Sequence, residues 1–202
     1  LPTLFTHGSA DVVERFMGPG MRGEEIWCQL FSEPAAGSDL AGLRTRAVRD
    51  GDQWVLNGQK VWTSYAHEAD YGIVLVRTDP SQPKHKGLTM FYVDMRAPGV
   101  EVRQIRTLLG DAEFNEVFFT DVRIPDSQRL GAVGDGWKVS LSTLMFERLA
   151  VGGKPAGAPD ARDLLAQGLV DVGQAEALAK FYVADEGIAL TRLRSMTAVS
   201  RG

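Results

Sequence analysis

Two short stretches of this chain combine residue types that do chemistry. Gln29-Leu30-Phe31-Ser32-Glu33-Pro34-Ala35-Ala36-Gly37-Ser38-Asp39 runs from an apolar strand through a proline into a loop of small residues. Such a loop lets backbone N–H groups approach a planar or anionic ligand, and Ser32 and Ser38 add hydroxyls that donate or accept. The same composition also makes an ordinary turn. The second stretch, Lys60-Val61-Trp62-Thr63-Ser64-Tyr65, closes a later strand with a large flat ring followed by two hydroxyls. A tryptophan there either packs into a sheet or walls an aromatic cofactor, with a hydroxyl satisfying a ring nitrogen.

Other constellations are missing from the sequence. His7, His67 and His85 stand far apart, and no HxxxH, HExxH or CxxC occurs, so no metal site is expected. Neither GxSxG, SxxK nor a GxxxxGK phosphate loop is present. Cys28 is the single cysteine; it lies in an apolar strand without a nearby histidine and is expected in the core rather than as a nucleophile. One cysteine builds no disulfide framework, which fits a reducing, cytoplasmic compartment. The net charge is only −4 and the 22 basic residues are scattered, which argues against a nucleic-acid face. The apolar run from Tyr71 to Val76 is too short to cross a bilayer, so no membrane span is expected.

Three zones position these residues. A short helix is expected over Ser9 to Met17, with Ser9 as N-cap and Gly18-Pro19-Gly20 ending it. From about Ile26 to Pro125 seven segments read as strands: IWCQLF, RTRAVRD, QWVLNGQKVWTS, YGIVLVRTD, LTMFYVDM, VEVRQIR and NEVFFTDVRI. Their spacing predicts a closed or sandwiched antiparallel domain, and no βαβ unit is evident. After Pro125, GDGW opens a helix that Asp135 can cap, Lys154 to Pro159 reads as a loop, and a long helix follows to Ala198, with a break near Gly168. The resulting layout is 1–25, end of a helical domain; 26–125, β domain; 126–202, start of another helical domain. Beginning at Leu1-Pro2 without methionine, and stopping just after a helical pattern, the chain reads as part of a longer protein.

LFSEPAAGSDLAG, followed by WVLNGQKVWTS and then by FNEVFFTDVRIPD and LGAVGDGW, closely resembles the acyl-CoA dehydrogenase family. The resemblance covers the chain from Leu4 onward and about the middle half of a usual member. It implies an α+β fold with a central antiparallel β-barrel or sandwich flanked by helical-bundle segments. It also implies FAD, with Gln29, Phe31 and Ser32 along the flavin ring, Phe31 acting mainly through its backbone. Trp62 resembles the tryptophan packed against the flavin, Thr63 lies on the same segment, and Ser64 matches the position whose hydroxyl points at N5. Ser38 matches a position along the CoA portion of the substrate. Serine replaces the more usual threonine at positions 32 and 64, and glutamine at 29 replaces an aromatic residue common in straight-chain enzymes.

The activity implied is α,β-dehydrogenation of an acyl-CoA thioester, with electrons passed to an electron-transferring flavoprotein or similar acceptor. Glu147 falls where branched-chain and long-chain members carry their catalytic glutamate, and Arg148 matches an arginine kept near the active site. Many members take the base from a glutamate near the carboxy terminus instead, and Glu147 then is an ordinary helix residue. A homodimer or homotetramer is implied. Acyl-CoA oxidases and a non-catalytic flavin-binding subunit of the same fold share these motifs.

Overall fold

In the computed structural model of the chain, residues 1–151, 158–168 and 171–201 are described, in two compact units, 1–143 and 144–202. The expected loop from Lys154 to Pro159 lies mostly outside these residues.

The first unit opens with α1 (Pro2–His7) and α2 (Ala10–Arg22). Ser9 caps α2 by accepting the Val12 N–H at 3.4 Å, and Val12 and Phe16 are buried on one side. The helix does not stop at Gly18-Pro19-Gly20. Proline removes one donor from the helix interior, but the chain keeps helical geometry for one more turn. It ends at Gly23, which takes the left-handed conformation (φ 71) and bonds back to the Gly20 and Pro19 carbonyls.

All seven expected strands form: β1 (Trp27–Leu30), β2 (Arg46–Asp50), β3 (Gln53–Ser64), β4 (Tyr71–Arg77), β5 (Leu88–Asp94), β6 (Val100–Ile105) and β7 (Phe114–Pro125). An eighth, β8 (Arg129–Leu130), pairs with β5; two residues are too few to show a period in sequence. The sheet runs β6-β7-β3-β2-β4-β5-β8, with β1 beside β4. Two expectations are therefore corrected: the sheet is mixed, and it is not a closed barrel. β1 lies parallel to β4 from Trp27↔Tyr71 to Leu30↔Val74, and β2 meets β4 in parallel at Arg46↔Arg77. A parallel neighbour needs a long crossover, and the loop after β1 with the β2–β3 hairpin supplies it.

The core follows the strand periods. Trp54 and Leu56 of β3 face Val117, Phe119, Val122 and Ile124 of β7 within one cluster that includes Val74, Val76, Phe91 and Val93. β4 and β5 are buried along nearly their whole length, so they read as continuous apolar runs rather than alternating ones. α3 (Gly136–Val151) follows β8, and Val139 and Ser140 in its first turns are buried.

The second unit contains the end of α3, α4 (Ala161–Ala166) and α5 (Ala175–Ser200). Asp160 and Asp163 cap α4 reciprocally, each carboxylate accepting the other's N–H at 2.8 and 2.9 Å. Beyond α4, Gly168 takes φ 65, so the long expected helix is indeed interrupted there. Val183, Ile188, Leu190 and Leu193 of α5 are exposed in this chain.

Gly58 sits at a register shift between β3 and β7 with φ 150, and a Cβ there would stand 2.7 Å from the Thr45 Cα. Gly58→Ala is expected to cost more than about 1 kcal/mol in urea unfolding, because backbone strain and contact with Thr45, just before β2, act together. An unchanged midpoint would show that Thr45 retreats freely.

Candidate functional site

β1 leads directly into the first chemically suggestive segment. Glu33 and Ala36 exchange backbone hydrogen bonds at 3.0 Å, closing a tight turn around Pro34 and Ala35. The Glu33 side chain folds inward, where its carboxylate accepts the Arg44 N–H at 2.6 Å, the Thr45 N–H at 2.9 Å and the Lys60 Nζ at 2.9 Å. Lys60 is fully buried in β3 and donates a second bond to the Phe31 carbonyl at 3.0 Å. One residue on, the Val61 N–H donates to the Ser32 carbonyl at 2.9 Å. The two segments are thereby held side by side.

Both charges are buried, and the bonds decide their state. Burial pushes the Glu33 carboxyl up, but the Lys60 charge and the Arg44 and Thr45 donors outweigh it and hold it below its ordinary 4.5. Burial pulls the Lys60 ammonium down to about 8, against the attraction of Glu33.

Past Val61 the strand departs from regular geometry. The register against β7 shifts between Lys60 and Thr63, and Trp62 takes φ 61. A bulky residue there carries backbone strain of about 1–3 kcal/mol. The bulge turns the Trp62 indole outward, 61% exposed, with its ring edge-on to Phe114 at 6.2 Å. Ser64 also faces outward, while Thr63 turns inward and is buried. Its Oγ1 has no hydrogen-bond partner among the described residues. Tyr65 follows, again left-handed at φ 55 and half exposed.

The structure thus brings Gln29, Phe31 and Ser32 next to Trp62, Thr63 and Ser64. Gln29 is half-buried in β1 opposite Ile73, Phe31 is buried, and Ser32 is half-buried. Ser38 is exposed in the following loop, beside Asp39, which pairs with Lys84. Glu147 and Arg148 lie on α3 in the second unit and are both exposed. Arg148 and Met145 line a groove of about 820 Å³ together with Val183, Gly187, Ile188 and Thr191 of α5. Cys28 is buried against Met95, and burial pushes its thiol up to about 12, which removes it as a nucleophile. Among the described residues no three His, Cys, Asp or Glu gather as metal ligands, and no helix is long and apolar enough to cross a membrane.

An exposed flat indole with outward and half-buried serine hydroxyls beside it suits a planar ligand with hydrogen-bonding edges. Sequence reasoning missed the Glu33–Lys60 pair that holds this surface together. A lysine inside an apolar strand, on its core-facing side, is the signal that would have found it.

Comparison with known proteins adds independent findings. Residues 28–122 match the acyl-CoA dehydrogenase middle domain. Acyl-CoA dehydrogenase FadE34 of Mycobacterium tuberculosis is 49% identical over 202 residues, 98% of this chain and 28% of that protein. Acyl-CoA dehydrogenase IpdE1 of the same organism is 51% identical over 148 residues, 73% of this chain and 38% of its own length. The chain therefore spans well under half of these relatives. Among solved structures, the Tcur3481-Tcur3483 steroid ACAD superimposes with a TM-score of 0.84 at 33% identity, covering 99% of this chain and 53% of that one. The ChsE4-ChsE5 complex of Mycobacterium tuberculosis gives a TM-score of 0.76 at 30% identity over 98% of this chain and 54% of that one.

Removing one partner of the buried pair leaves the other charge stranded. Lys60→Met is expected to cost about 3–5 kcal/mol in urea unfolding, and Lys60→Met with Glu33→Gln to cost less than the single change. A double mutant no better than the single would overturn this. The Glu33 contribution is full above its ordinary 4.5 and is lost as pH falls through its lowered folded value. Urea midpoints should therefore fall on acidification below about pH 4.5, and less steeply in Glu33→Gln.

Proposed function

The chain belongs to the acyl-CoA dehydrogenase family, and from that premise we propose that it serves FAD-dependent α,β-dehydrogenation of an acyl-CoA thioester. The observation that carries the reading is the left-handed bulge that exposes the Trp62 indole beside Ser64, against the Phe31–Ser32 segment. Trp62 offers its face to the flavin ring. Ser64 and Ser32 present hydroxyls to the polar edges of the ring, and Gln29, Phe31 and Thr63 complete the wall, Phe31 and Thr63 through the backbone. FAD, when bound, supplies the two-electron acceptor.

The remaining roles belong to the chain's own groups. Ser38, exposed in the small-residue loop, contacts the CoA portion of the substrate. Glu147 takes the α proton, with Arg148 beside it in sequence; adjacent helix residues do not share a face, so the two do not act as one pair. Holding the Cα–Cβ bond between base and acceptor is what alignment by the protein contributes. Residues 26–125 form the middle β domain of this arrangement, following the end of one helical domain and preceding the start of another.

Three features lie further out. An electron-transferring flavoprotein or similar acceptor is the proposed electron acceptor, as the family resemblance implies. Association as a homodimer or homotetramer is proposed from the family resemblance; the ChsE4-ChsE5 structure, a complex of two differently named chains, supports association in general and not its homomeric form. The likeness to a steroid ACAD makes bulky polycyclic acyl groups the first thioesters to try.

The test is anaerobic titration of the flavin-loaded full-length protein with straight, branched, aromatic and steroid acyl-CoA thioesters. Bleaching of the flavin absorbance by at least one is expected. No bleaching with any would favour a non-catalytic subunit, and stoichiometric peroxide without an added acceptor would make it an oxidase. Ser64→Ala is expected to weaken flavin retention or reduction by on the order of 1–3 kcal/mol, and Trp62→Ala by more. Glu147→Gln should bind flavin and ligand yet lose orders of magnitude in bleaching rate. A parental rate would place the base on another residue.

A further inference from the structure

Asn115 is fully buried on β7, directly opposite Thr63. Its Nδ2 donates to the Thr63 carbonyl at 2.9 Å and to the Glu113 carbonyl at 3.0 Å. The amide oxygen faces His67 Nδ1 at 3.2 Å. Two carbonyls on one side require the nitrogen there, so the oxygen must face the imidazole, and Nδ1 carries the proton. The Tyr65 N–H donates to the same Glu113 carbonyl at 2.9 Å. One side chain therefore joins the bulged end of β3, the entry to β7 and the turn after β3.

This is the place where the ladder is interrupted. Between Lys60 and Thr63 the β3–β7 register shifts, and regular pairing does not hold the intervening backbone. Trp62 is in a strained conformation and its ring, edge-on to Phe114, is 61% exposed. Something must over-determine that backbone for the strain to persist. An aspartate of the same size would have no donors for the two carbonyls, and a leucine would have neither donors nor acceptor.

We infer that Asn115 is a positioning residue for the flavin: it locks the Trp62–Ser64 bulge through the Thr63 carbonyl, with His67 orienting its amide. The inference rests on the flavin reading above and extends it to residues that do not touch the ring.

The test uses full-length protein and four variants: Asn115→Asp, Asn115→Ser, His67→Leu and Trp62→Ala. FAD dissociation constants are measured by fluorescence titration, bound-flavin geometry by visible circular dichroism, and amide exchange of Trp62–Tyr65 without flavin. Asn115→Asp is expected to weaken FAD binding at least about tenfold and to speed exchange at Thr63 and Ser64. Exchange across β4 and β5 should stay at parental rates, a localisation that general destabilisation would not produce. Asn115→Ser, keeping one donor, should fall between, and His67→Leu should show a smaller shift of the same kind. If Asn115→Asp does not fold, the serine and leucine variants decide the matter. Parental FAD affinity and dichroism in the folded Asn115 and His67 variants, with Trp62→Ala weakened, would overturn the positioning role alone. Parental affinity in Trp62→Ala would instead overturn the flavin reading on which it rests.

Discussion

The buried ion pair between Lys60 and Glu33 is the interaction on which the arrangement depends. Taking two charges out of water costs several kcal/mol each, and the attraction between them offsets this only when the remaining donors and acceptors are satisfied. Here they are: the carboxylate receives two backbone N–H groups besides the ammonium, and the ammonium reaches the Phe31 carbonyl. Three stretches that are distant in sequence meet at this point, the exit of β1, the entry to β2 and the middle of β3. An apolar pair of similar volume would fill the space but would not fix Phe31, Ser32 and Val61 in one register.

Strain is concentrated immediately beyond that anchor. The β3–β7 ladder is the longest in the sheet and it is irregular twice, once near Gly58 and once at Trp62. At the first shift, Asn57 and Asp121 exchange hydrogen bonds of 2.9 and 3.0 Å, and Asp121 takes φ 50. The shift moves the inward positions of β7 from Val117 and Phe119 to Val122 and Ile124 without exposing either pair. At the second, the inward place passes to Thr63, and Trp62 is released to the surface. Both irregularities are bridged by an asparagine side chain supplying bonds that the regular ladder does not. One keeps the core closed, and the other shapes the candidate site.

The two proposed chemical roles fall in different units. The proposed surface for a planar cofactor belongs to the sheet, whose central strands β4 and β5 are buried, and rigidity there suits a group that must be held flat. The proposed base belongs to a helix whose neighbours, α4 and α5, present apolar side chains to solvent in this chain. The chain spans 28% of one relative and 38% of another.

All seven long strands, the Ser9 cap and the break at Gly168 were legible in the sequence, because period, capping chemistry and glycine act over a few residues. The two chemically suggestive stretches were legible for the same reason: each is a contiguous run of telling residue types. The mixed topology was not, since whether β1 lies parallel to β4 depends on a crossover whose path no local pattern encodes. Nor was the passage of α2 through Pro19, where the remaining helical bonds and the Gly23 cap outweigh one missing donor. Alternation alone would have placed Trp62, Thr63 and Ser64 by simple parity from Lys60, with Trp62 inside. Which ring reaches solvent was decided by the bulge, and the buried pairs on either side of it join Lys60 to Glu33, 27 residues away, and Asn115 to Thr63, 52 residues away. Residue type and spacing determined what chemistry was on offer. Long-range pairing of buried polar groups decided which of these side chains face outward, because such groups are stable only where tertiary structure brings their partners to them.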